Sequence, residues 1–405
     1  MVWNMLEIYN VLIYSFNTKP LGGKMISKKE ILFGMILYVT MFAVVSPAIP
    51  TAETITVSPY SDEFVILVGT AYDSSTGKLF YLPSNKDGSF GNVSSVGDLG
   101  YRSGAGIADF NNDGYLDFVA GARSDTTTVA NFYLYNNTGS GNFTQSLIAN
   151  NLDAGELSDN KVGTFAVADF NNDGYKDFVA PIYKSSHIYL FTNNQNNTFT
   201  YSTLTPLSNP FDAKAGDFNE DGKMDFVVTD YFNARVILYK GDGAGGFTVE
   251  TLFNVYNNYR AADITVGDFN GDGHLDIIVD DFVVGGGGGH LYLGNGNGNF
   301  VFNSTVYSRP VNGPSTYGVD SYDFNKDGKL DLILSSYEYE PTGLVFIAIG
   351  NGDGTFQSPY QVASGLGSIF PVTPSEATPV PEPSTMLLLG SGLLGLWGFR
   401  RKFRK

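Results

Sequence analysis

A nine-residue acidic pattern occurs five times in this 405-residue chain and constrains its fold more than any other feature. The first copy is DFNNDGYLD at residues 109–117, and the others begin at residues 169, 217, 268 and 323. Each copy has aspartate at positions 1, 5 and 9, asparagine at position 3, and glycine at position 6, where a sharp turn favours a residue without a β-carbon. Three carboxylates and an amide oxygen in so short a loop predict a site for a hard cation.

Oxygen ligands in a flexible loop favour Ca²⁺ over Zn²⁺, which prefers nitrogen and sulfur, and over Mg²⁺, which keeps several waters. We therefore expect about five calcium sites, each using four side chains and the backbone carbonyl of position 7. Because only that carbonyl is needed, the His274 ring is expected to be a surface group. The predicted ligands are Asp109, Asn111, Asp113, Tyr115, Asp117, Asp169, Asn171, Asp173, Tyr175, Asp177, Asp217, Asn219, Asp221, Lys223, Asp225, Asp268, Asn270, Asp272, His274, Asp276, Asp323, Asn325, Asp327, Lys329 and Asp331.

An EF-hand loop would match the first six positions but also needs a bidentate glutamate at position 12 and helices on both sides. Position 12 is apolar in every copy: Ala120, Ala180, Val228, Val279 and Leu334. The runs that flank the loops are short and apolar, which is typical of strands. The EF-hand interpretation is therefore rejected.

A second series of turns alternates with the acidic loops. Six segments rich in glycine and asparagine follow strand-like runs, have the composition of tight hairpins, and end in phenylalanine. These residues are Phe90, Phe143, Phe199, Phe247, Phe300 and Phe356. The acidic loops start 60, 48, 51 and 55 residues apart, the period of a repeat built from one small sheet. Six hairpins predict six units, each ordered inner strand, acidic loop, second strand, third strand, hairpin, outer strand.

Residues 162–181 (VGTFAVADFNNDGYKDFVAP) resemble the FG-GAP repeat of integrin α-subunit propellers and the related VCBS repeat of bacterial surface proteins. In that family the loop joins the first two strands of a propeller blade and binds calcium. The resemblance implies an all-β propeller of four-stranded blades over residues 53–373, with six blades or, as in integrins, seven. A seventh blade would require residues 365–373 to complete another sheet.

The first unit, residues 54–97, has a hairpin but no acidic loop. We expect it to be a blade without calcium, in which residues 54–58 form the inner strand or part of the closure. A closed ring is expected because a linear stack would expose two sheet edges.

The chain before residue 53 predicts export. A basic segment after Met25, an apolar run at residues 31–45 and small residues at 46–48 have the form of a secretory signal peptide, assigned to residues 25–52. Residues 1–24 are interpreted as an extension from an upstream start site. The alternative is an uncleaved N-terminal anchor, although the run is shorter than the ~20 residues of a spanning helix.

The chain after residue 373 predicts surface sorting. Residues 374–380 form a Pro/Ser/Thr linker, and residues 381–405 contain a Pro-Glu-Pro motif, an apolar run at 386–399 and a basic end. These three parts resemble the PEP-CTERM sorting signal, whose motif is Pro381, Glu382 and Pro383. The resemblance implies an exosortase-type partner in the inner membrane of a Gram-negative bacterium, a transient membrane anchor, and delivery to the cell surface or extracellular matrix, often with exopolysaccharide. The alternative is a plain tail anchor.

Charge and composition exclude several classes of protein. Five calcium ions would reduce the formal charge of −17 to about −7, so much of the acidity is assigned to metal ligands. Nucleic acid is not an expected partner because basic residues cluster only in the last six positions. The chain has no cysteine, which excludes disulfides and thiolate chemistry.

The functional expectation is a binding or adhesion module for extracellular polysaccharide or protein, with calcium acting as a structural staple. No nucleophile elbow, zinc motif or Walker loop is present, and no catalytic residue is predicted. A carbohydrate-active hydrolase or lyase is one alternative, and a purely structural matrix component is the other. Acidic surface connections explain the candidate carboxylates better than a catalytic pair does. These carboxylates are Asp230, Asp280, Asp281, Glu338 and Glu340, and the candidate sugar-stacking aromatics are Tyr231, Phe232, Tyr256, Tyr259, Tyr337 and Tyr339.

Overall fold

The computed structural model of this protein describes most of the repeat region. The described residues are 53–57, 60–69, 78–98, 103–123, 128–154, 163–183, 185–282, 288–308, 315–337, 343–366 and 369–375. The predicted signal peptide and sorting segment lie outside these ranges. No helix within them is long and apolar enough to cross a membrane.

The described residues form 25 β-strands and one short 3₁₀-helix, Tyr256–Asn258, arranged as six antiparallel sheets. This confirms the all-β, six-bladed propeller. The second and third blades are formed by β5 (Ser103–Ala108), β6 (Asp117–Arg123), β7 (Val129–Asn137) and β8 (Asn142–Asp153), and by β9 (Ala166–Ala168), β10 (Asp177–Ile182), β11 (His187–Asn193) and β12 (Phe199–Thr203).

The next three blades repeat the same strand order from inside to outside. They are formed by β13 (Pro210–Gly216), β14 (Asp225–Asp230), β15 (Arg235–Gly241) and β16 (Phe247–Asn254), by β17 (Arg260–Gly267), β18 (Asp276–Phe282), β19 (Gly288–Gly294) and β20 (Phe300–Ser308), and by β21 (Ser315–Tyr322), β22 (Asp331–Tyr337), β23 (Val345–Ala348) and β24 (Tyr360–Ala363).

The first blade closes the ring, because its strands come from both ends of the repeat region. They are β25 (Ile369–Val372), β2 (Phe64–Gly69), β3 (Lys78–Pro83) and β4 (Ser94–Asp98), from inside to outside. Residues 365–373 therefore complete the first blade and do not start a seventh.

The expectation that residues 54–58 form the inner strand of the first blade was wrong. The strand β1 (Glu53–Thr56) pairs with β8 and adds a fifth strand to the outer edge of the second blade. The inner edge of β2 is already paired with β25, so this position is not open to β1.

Burial explains the strand composition. Second strands lie between neighbouring blades and are apolar over their length; every residue of β10 and β14 is buried. Outer strands face solvent, and β12 and β16 are mostly exposed. A continuous apolar run therefore forms a strand in the middle of a blade, and a polar, β-branched run forms its rim.

Each blade has two different ends. The acidic loops and the hairpins lie at one end, which we call the loop side. The turns between second and third strands and the links between blades lie at the other, which we call the turn side. Inner strands run from the turn side to the loop side, as the pairing of β13 with β14 illustrates.

Neighbouring blades are joined on the loop side by the phenylalanine at position 2 of each acidic loop. Its ring packs against the hairpin phenylalanine of the next blade, with centroid separations of 5.2–6.1 Å. The pairs are Phe110–Phe199, Phe170–Phe247, Phe218–Phe300, Phe269–Phe356 and Phe324–Phe90. In the last four pairs the position-2 carbonyl also accepts a hydrogen bond of 2.8–3.1 Å from a hairpin glycine N–H of the next blade. The two series of turns seen in the sequence thus form one inter-blade contact.

A buried charged cluster ties the inner strands together. The Asp320 carboxylate accepts hydrogen bonds from Lys214 Nζ at 2.7 Å and from the backbone N–H of Thr373 at 2.9 Å. Thr265 donates to the other Asp320 oxygen at 3.2 Å. Because Thr373 directly follows β25, this cluster fixes the end of the closing strand.

Removal of β25 should open the ring. A chain that ends at Leu366 loses the ladder to β2 and one partner of the buried Asp320, whereas a chain that ends at Ser375 keeps both. We expect the shorter chain to melt at least about 10 °C lower, because several kcal/mol are lost and an inner strand edge is exposed. Near-ultraviolet circular dichroism during heating measures this. Equal melting temperatures for the two chains would contradict the closure.

Candidate functional site

All five acidic loops have the same hydrogen-bond pattern, which begins with the aspartate at position 1. Its Oδ1 accepts the N–H of position 5 at 3.0–3.1 Å, and its Oδ2 accepts the N–H of position 6 at 2.8–2.9 Å. The first carboxylate thus holds the turn around the glycine, whose φ is positive in every copy.

Positions 3 and 5 close the inside of the loop. The asparagine Oδ1 accepts the position-5 N–H at 2.9–3.0 Å, and the position-5 carboxylate accepts the position-7 N–H at 2.9–3.0 Å. These local bonds are typical of Asn and Asp in turns. The side-chain oxygens predicted as ligands are therefore turned towards the interior of their own loop.

The aspartate at position 9 is fully buried and joins three parts of the blade. One oxygen accepts the N–H of position 2 at 3.1–3.3 Å, and the other accepts an N–H at or just after the end of the third strand at 2.7–3.0 Å. In the second blade these donors belong to Phe110 and Asn137. The side chain thus connects the start of the loop to the second and third strands.

Burial raises the pKa of these position-9 carboxyls. It raises the pKa to about 7 at Asp117, Asp177 and Asp225 and to about 6 at Asp276 and Asp331. The backbone hydrogen bonds lower the pKa, whereas the position-1 and position-5 carboxylates of the same loop raise it. Each loop therefore gathers negative charge that favours a proton or a cation.

The donor chemistry of the loops fits calcium: three mutually repelling carboxylates and one amide oxygen lie within nine residues. Their carboxylate oxygens accept hydrogen bonds from backbone N–H groups, and each of these carboxylates keeps a further lone pair. Among the described residues, no three His, Cys, Asp or Glu side chains are gathered closely enough to hold a metal ion.

Position 4 is a structural position that the sequence pattern did not reveal. Its φ lies between 55° and 77° in all five loops, and in four of them its side chain contacts the next blade. Asn112 donates to the Gly174 carbonyl at 3.0 Å, and Asn172 donates to that of Gly243 at 3.1 Å. Lys326 forms an ion pair of 3.2 Å with Glu63 in the first blade. In the sequence, position 4 is recognisable only as the residue that varies between the fixed asparagine and the second aspartate.

Side chains at position 7 point outwards. Tyr115 is 42% exposed, and His274 contacts Glu220 of the neighbouring loop at 2.5 Å through Nδ1. The hydrogen bond to Glu220 raises the pKa of His274. The ring is engaged with a carboxylate of another loop, which is the surface role expected for His274.

The candidate carboxylates outside the loops have structural partners. Asp230 is buried and accepts hydrogen bonds from Asn233 and from Arg235 Nε at 2.8 Å. Asp281 is buried between His290 Nε2 at 3.1 Å and the Gly288 N–H, and Asp280 contacts the Tyr307 hydroxyl. Glu338, Glu340 and Tyr339, and the Tyr337 side chain, lie outside the part of the chain whose contacts are described.

Aromatic residues come together on the turn side. The rings of Tyr183, Phe211 and Tyr231 are buried against one another at centroid separations of 4.9–5.4 Å. Phe232 lies on them, 5.0 Å from Tyr231, and is 47% exposed. The Arg260 guanidinium lies 5.1 Å from the Phe232 ring and 5.6 Å from that of Tyr231. We call these five residues the turn-side cluster.

Sequence reasoning identified Tyr231 and Phe232 but missed the rest of this cluster. A pattern in the sequence could have pointed to Tyr183: a large residue occurs six positions after the last aspartate of each loop. These residues are Arg123, Tyr183, Tyr231, Phe282 and Tyr337. Tyr256 and Tyr259, the other described candidates, lie in the link to β17, and Tyr256 stacks on Phe302 at 4.3 Å.

The chain was compared with known families and proteins. Residues 109–180, 169–228, 217–279 and 280–334 match the family model for FG-GAP-like repeats, which covers more than half of the chain. Residues 379–402 match the PEP-CTERM protein-sorting motif. None of the curated proteins matches the chain in sequence.

Several solved structures resemble the fold. AofleA from Arthrobotrys oligospora is 11% identical, with a TM-score of 0.45 over 81% of this chain and 94% of its own. A mutant of the Aleuria aurantia lectin AAL in complex with Fucalpha1-6GlcNAc is 9% identical, with a TM-score of 0.45 over 78% of this chain and 99% of its own. A protein from Lactobacillus plantarum is 10% identical, with a TM-score of 0.45 over 76% and 98%. Similarities of this size carry no information about function.

Replacing a position-9 aspartate should cost more stability than replacing a position-5 aspartate, even without metal. In calcium-free buffer, Asp177→Ala leaves the buried N–H groups of Phe170 and Asn193 without acceptors, a loss of about 2–4 kcal/mol. Asp173→Ala removes exposed loop bonds and should cost about 1 kcal/mol or less. Urea unfolding of both variants measures the difference. Equal losses would show that position 9 does not join the strands.

Proposed function

The chain belongs to the FG-GAP-like repeat family. We propose that it is a propeller that is stabilised by bound calcium and that binds an extracellular polysaccharide. The PEP-CTERM motif indicates export and sorting to the cell surface. The observation that carries the binding function is the turn-side cluster, where the Arg260 guanidinium lies over the Phe232 ring, which is 47% exposed.

Calcium would be held by the side chains of positions 1, 3, 5 and 9 and the carbonyl of position 7 in each loop. When bound, it supplies the positive charge that offsets three carboxylates in one turn. The chain contributes the fixed turn, the buried position-9 carboxylate and the contacts to the next blade. All five loops carry the same ligand set, so the proposed role of calcium is structural at every site.

Chelation should destabilise the propeller strongly. If each site has a dissociation constant near 10⁻⁴ M, millimolar calcium adds about 1.4 kcal/mol per site, or about 7 kcal/mol for five independent sites. The melting temperature of residues 53–375 in EDTA should therefore fall by many degrees, and restored calcium, but not equimolar magnesium, should recover it. An unchanged melt would remove calcium from the proposal.

The ligand assignment can be tested one loop at a time. Asp113→Ala with Asp117→Ala should lower the calcium count from five to four by native mass spectrometry. Asp353→Ala is the matched control, because Asp353 forms the same kind of local turn in a hairpin outside the loops. A count that stays at five in the double variant would contradict the ligand set.

The turn-side cluster has the two features that a sugar ring requires. An exposed aromatic face stacks on the apolar face of a sugar, and a guanidinium donates hydrogen bonds to hydroxyl oxygens. Phe232 is supported from below by Tyr183 and Tyr231, so its ring is held in place before a ligand arrives. Rigid support reduces the entropy lost on binding.

Binding should depend on both exposed members of the cluster. Phe232→Ala and Arg260→Ala should each weaken binding to the polysaccharide identified on a glycan array about tenfold or more, with melting temperatures near that of the parent. The control is Tyr201→Ala, because Tyr201 is 53% exposed on an outer strand away from the cluster. Unchanged binding in both cluster variants would contradict this site.

Two other outcomes would redirect the proposal. Release of reducing sugar from the bound glycan would favour the carbohydrate-active enzyme, although the burial and pairing of Asp230 and Asp281 argue against catalytic roles for them. Absence of any glycan or protein ligand would favour the structural matrix component.

The sorting enzyme remains a proposed partner of the chain. The tail after residue 385 is proposed to be a transient anchor in the inner membrane of a Gram-negative bacterium.

A further inference from the structure

The C-terminal end of the propeller leaves from the loop side. The closing strand β25 is antiparallel to β2, with Val372 opposite Ile66 and Ile369 opposite Gly69. Since β2 begins beside the hairpin of its blade and ends at its turn, β25 runs towards the hairpin end. The chain therefore leaves the ring among the acidic loops.

The exit point is fixed at the centre of that side. Thr373 donates its N–H to Asp320 and its hydroxyl to the Ser321 carbonyl, at 2.9 and 3.0 Å. Ser375 donates its N–H and its hydroxyl to the carbonyl of Ile107, each at 3.0 Å. Ile107 lies two residues before the first acidic loop, so Ser375 is held beside the inner strands.

The chain between Ser375 and the sorting motif is too short to reach the turn side. Pro381 stands six residues after Ser375, which allows a span of about 20–22 Å. A path around the rim crosses three strand spacings, about 14 Å, and then the length of a seven-residue strand, about 24 Å. The apolar run begins 11 residues after Ser375, and these residues span about 36–40 Å when fully extended. The path around the rim would therefore require this whole linker to be fully extended.

The geometry points to a defined orientation: while the tail is in a membrane, the loop side faces the lipid and the sorting enzyme, and the turn side faces away. The inference rests on the proposed membrane tether. It leaves the turn-side cluster open to the extracellular space before the tail is cut.

The absence of cysteine allows this orientation to be measured with single labels. Ser140→Cys places a donor dye in a hairpin on the loop side, and Ser208→Cys places it in a link on the turn side; both serines are exposed. Residues 53–405, which lack the apolar run at 31–45 and serve as the full chain in this experiment, carry either label and are incorporated into phospholipid vesicles that contain an acceptor-labelled lipid. The same labelled chains ending at Ser375 serve as tail-less controls.

Energy transfer from position 140 should be at least about twofold stronger than from position 208, because the two sides are ~24 Å apart. The tail-less chains should neither float with vesicles nor transfer energy. Equal or reversed transfer in floating protein would overturn the orientation while leaving the tether intact. A full chain that does not float, or a tail-less chain that does, would overturn the tether and with it this inference. Neither result bears on the turn-side cluster, whose test is glycan binding.

Discussion

The fold depends on one buried carboxylate in each of five blades, the aspartate at position 9 of the acidic loop. Its two oxygens accept hydrogen bonds from N–H groups at the start of the acidic loop and at the end of the third strand. It therefore connects the loop to the third strand, which the hydrogen bonds between strands do not do. Burial raises the pKa of this carboxyl, and the two further carboxylates of the loop raise it as well. The carboxylate that joins these strands therefore also favours a nearby positive charge or a proton.

Ring closure explains why there are five acidic loops and six blades. Each loop connects the first strand of a blade to its second, and in the first blade these strands, β25 and β2, come from opposite ends of the repeat region. The position of the sixth loop is filled by residues near Tyr60 and Ser61. Ser61 exchanges hydrogen bonds with the Tyr81 hydroxyl, and Val57 donates its N–H to the Gly141 carbonyl of the next hairpin.

Local features of this fold could be predicted from the sequence, and distant ones could not. The loops, hairpins and strand order follow from turn residues and apolar runs within a few positions of one another. The pairing of β25 with β2 joins residues about 300 positions apart, and no local pattern specifies it. The sequence did not reveal the roles of Lys214, Asp320 and Arg260 for the same reason, because each of them contacts a residue on another blade. The interpretation of five loops as calcium ligands came from their chemistry and stays a prediction.

The repeat separates positions that are the same in every copy from positions that vary. On the loop side every copy has the same aspartates, asparagine and glycine, and positions 4 and 7 differ from blade to blade. On the turn side the residue six positions after the last aspartate changes from arginine to tyrosine to phenylalanine. Specific recognition requires such differences, because a ligand selects a site only through contacts that other sites lack. The positions that recur in every loop are therefore suited to stability, and the variable positions are suited to selective binding.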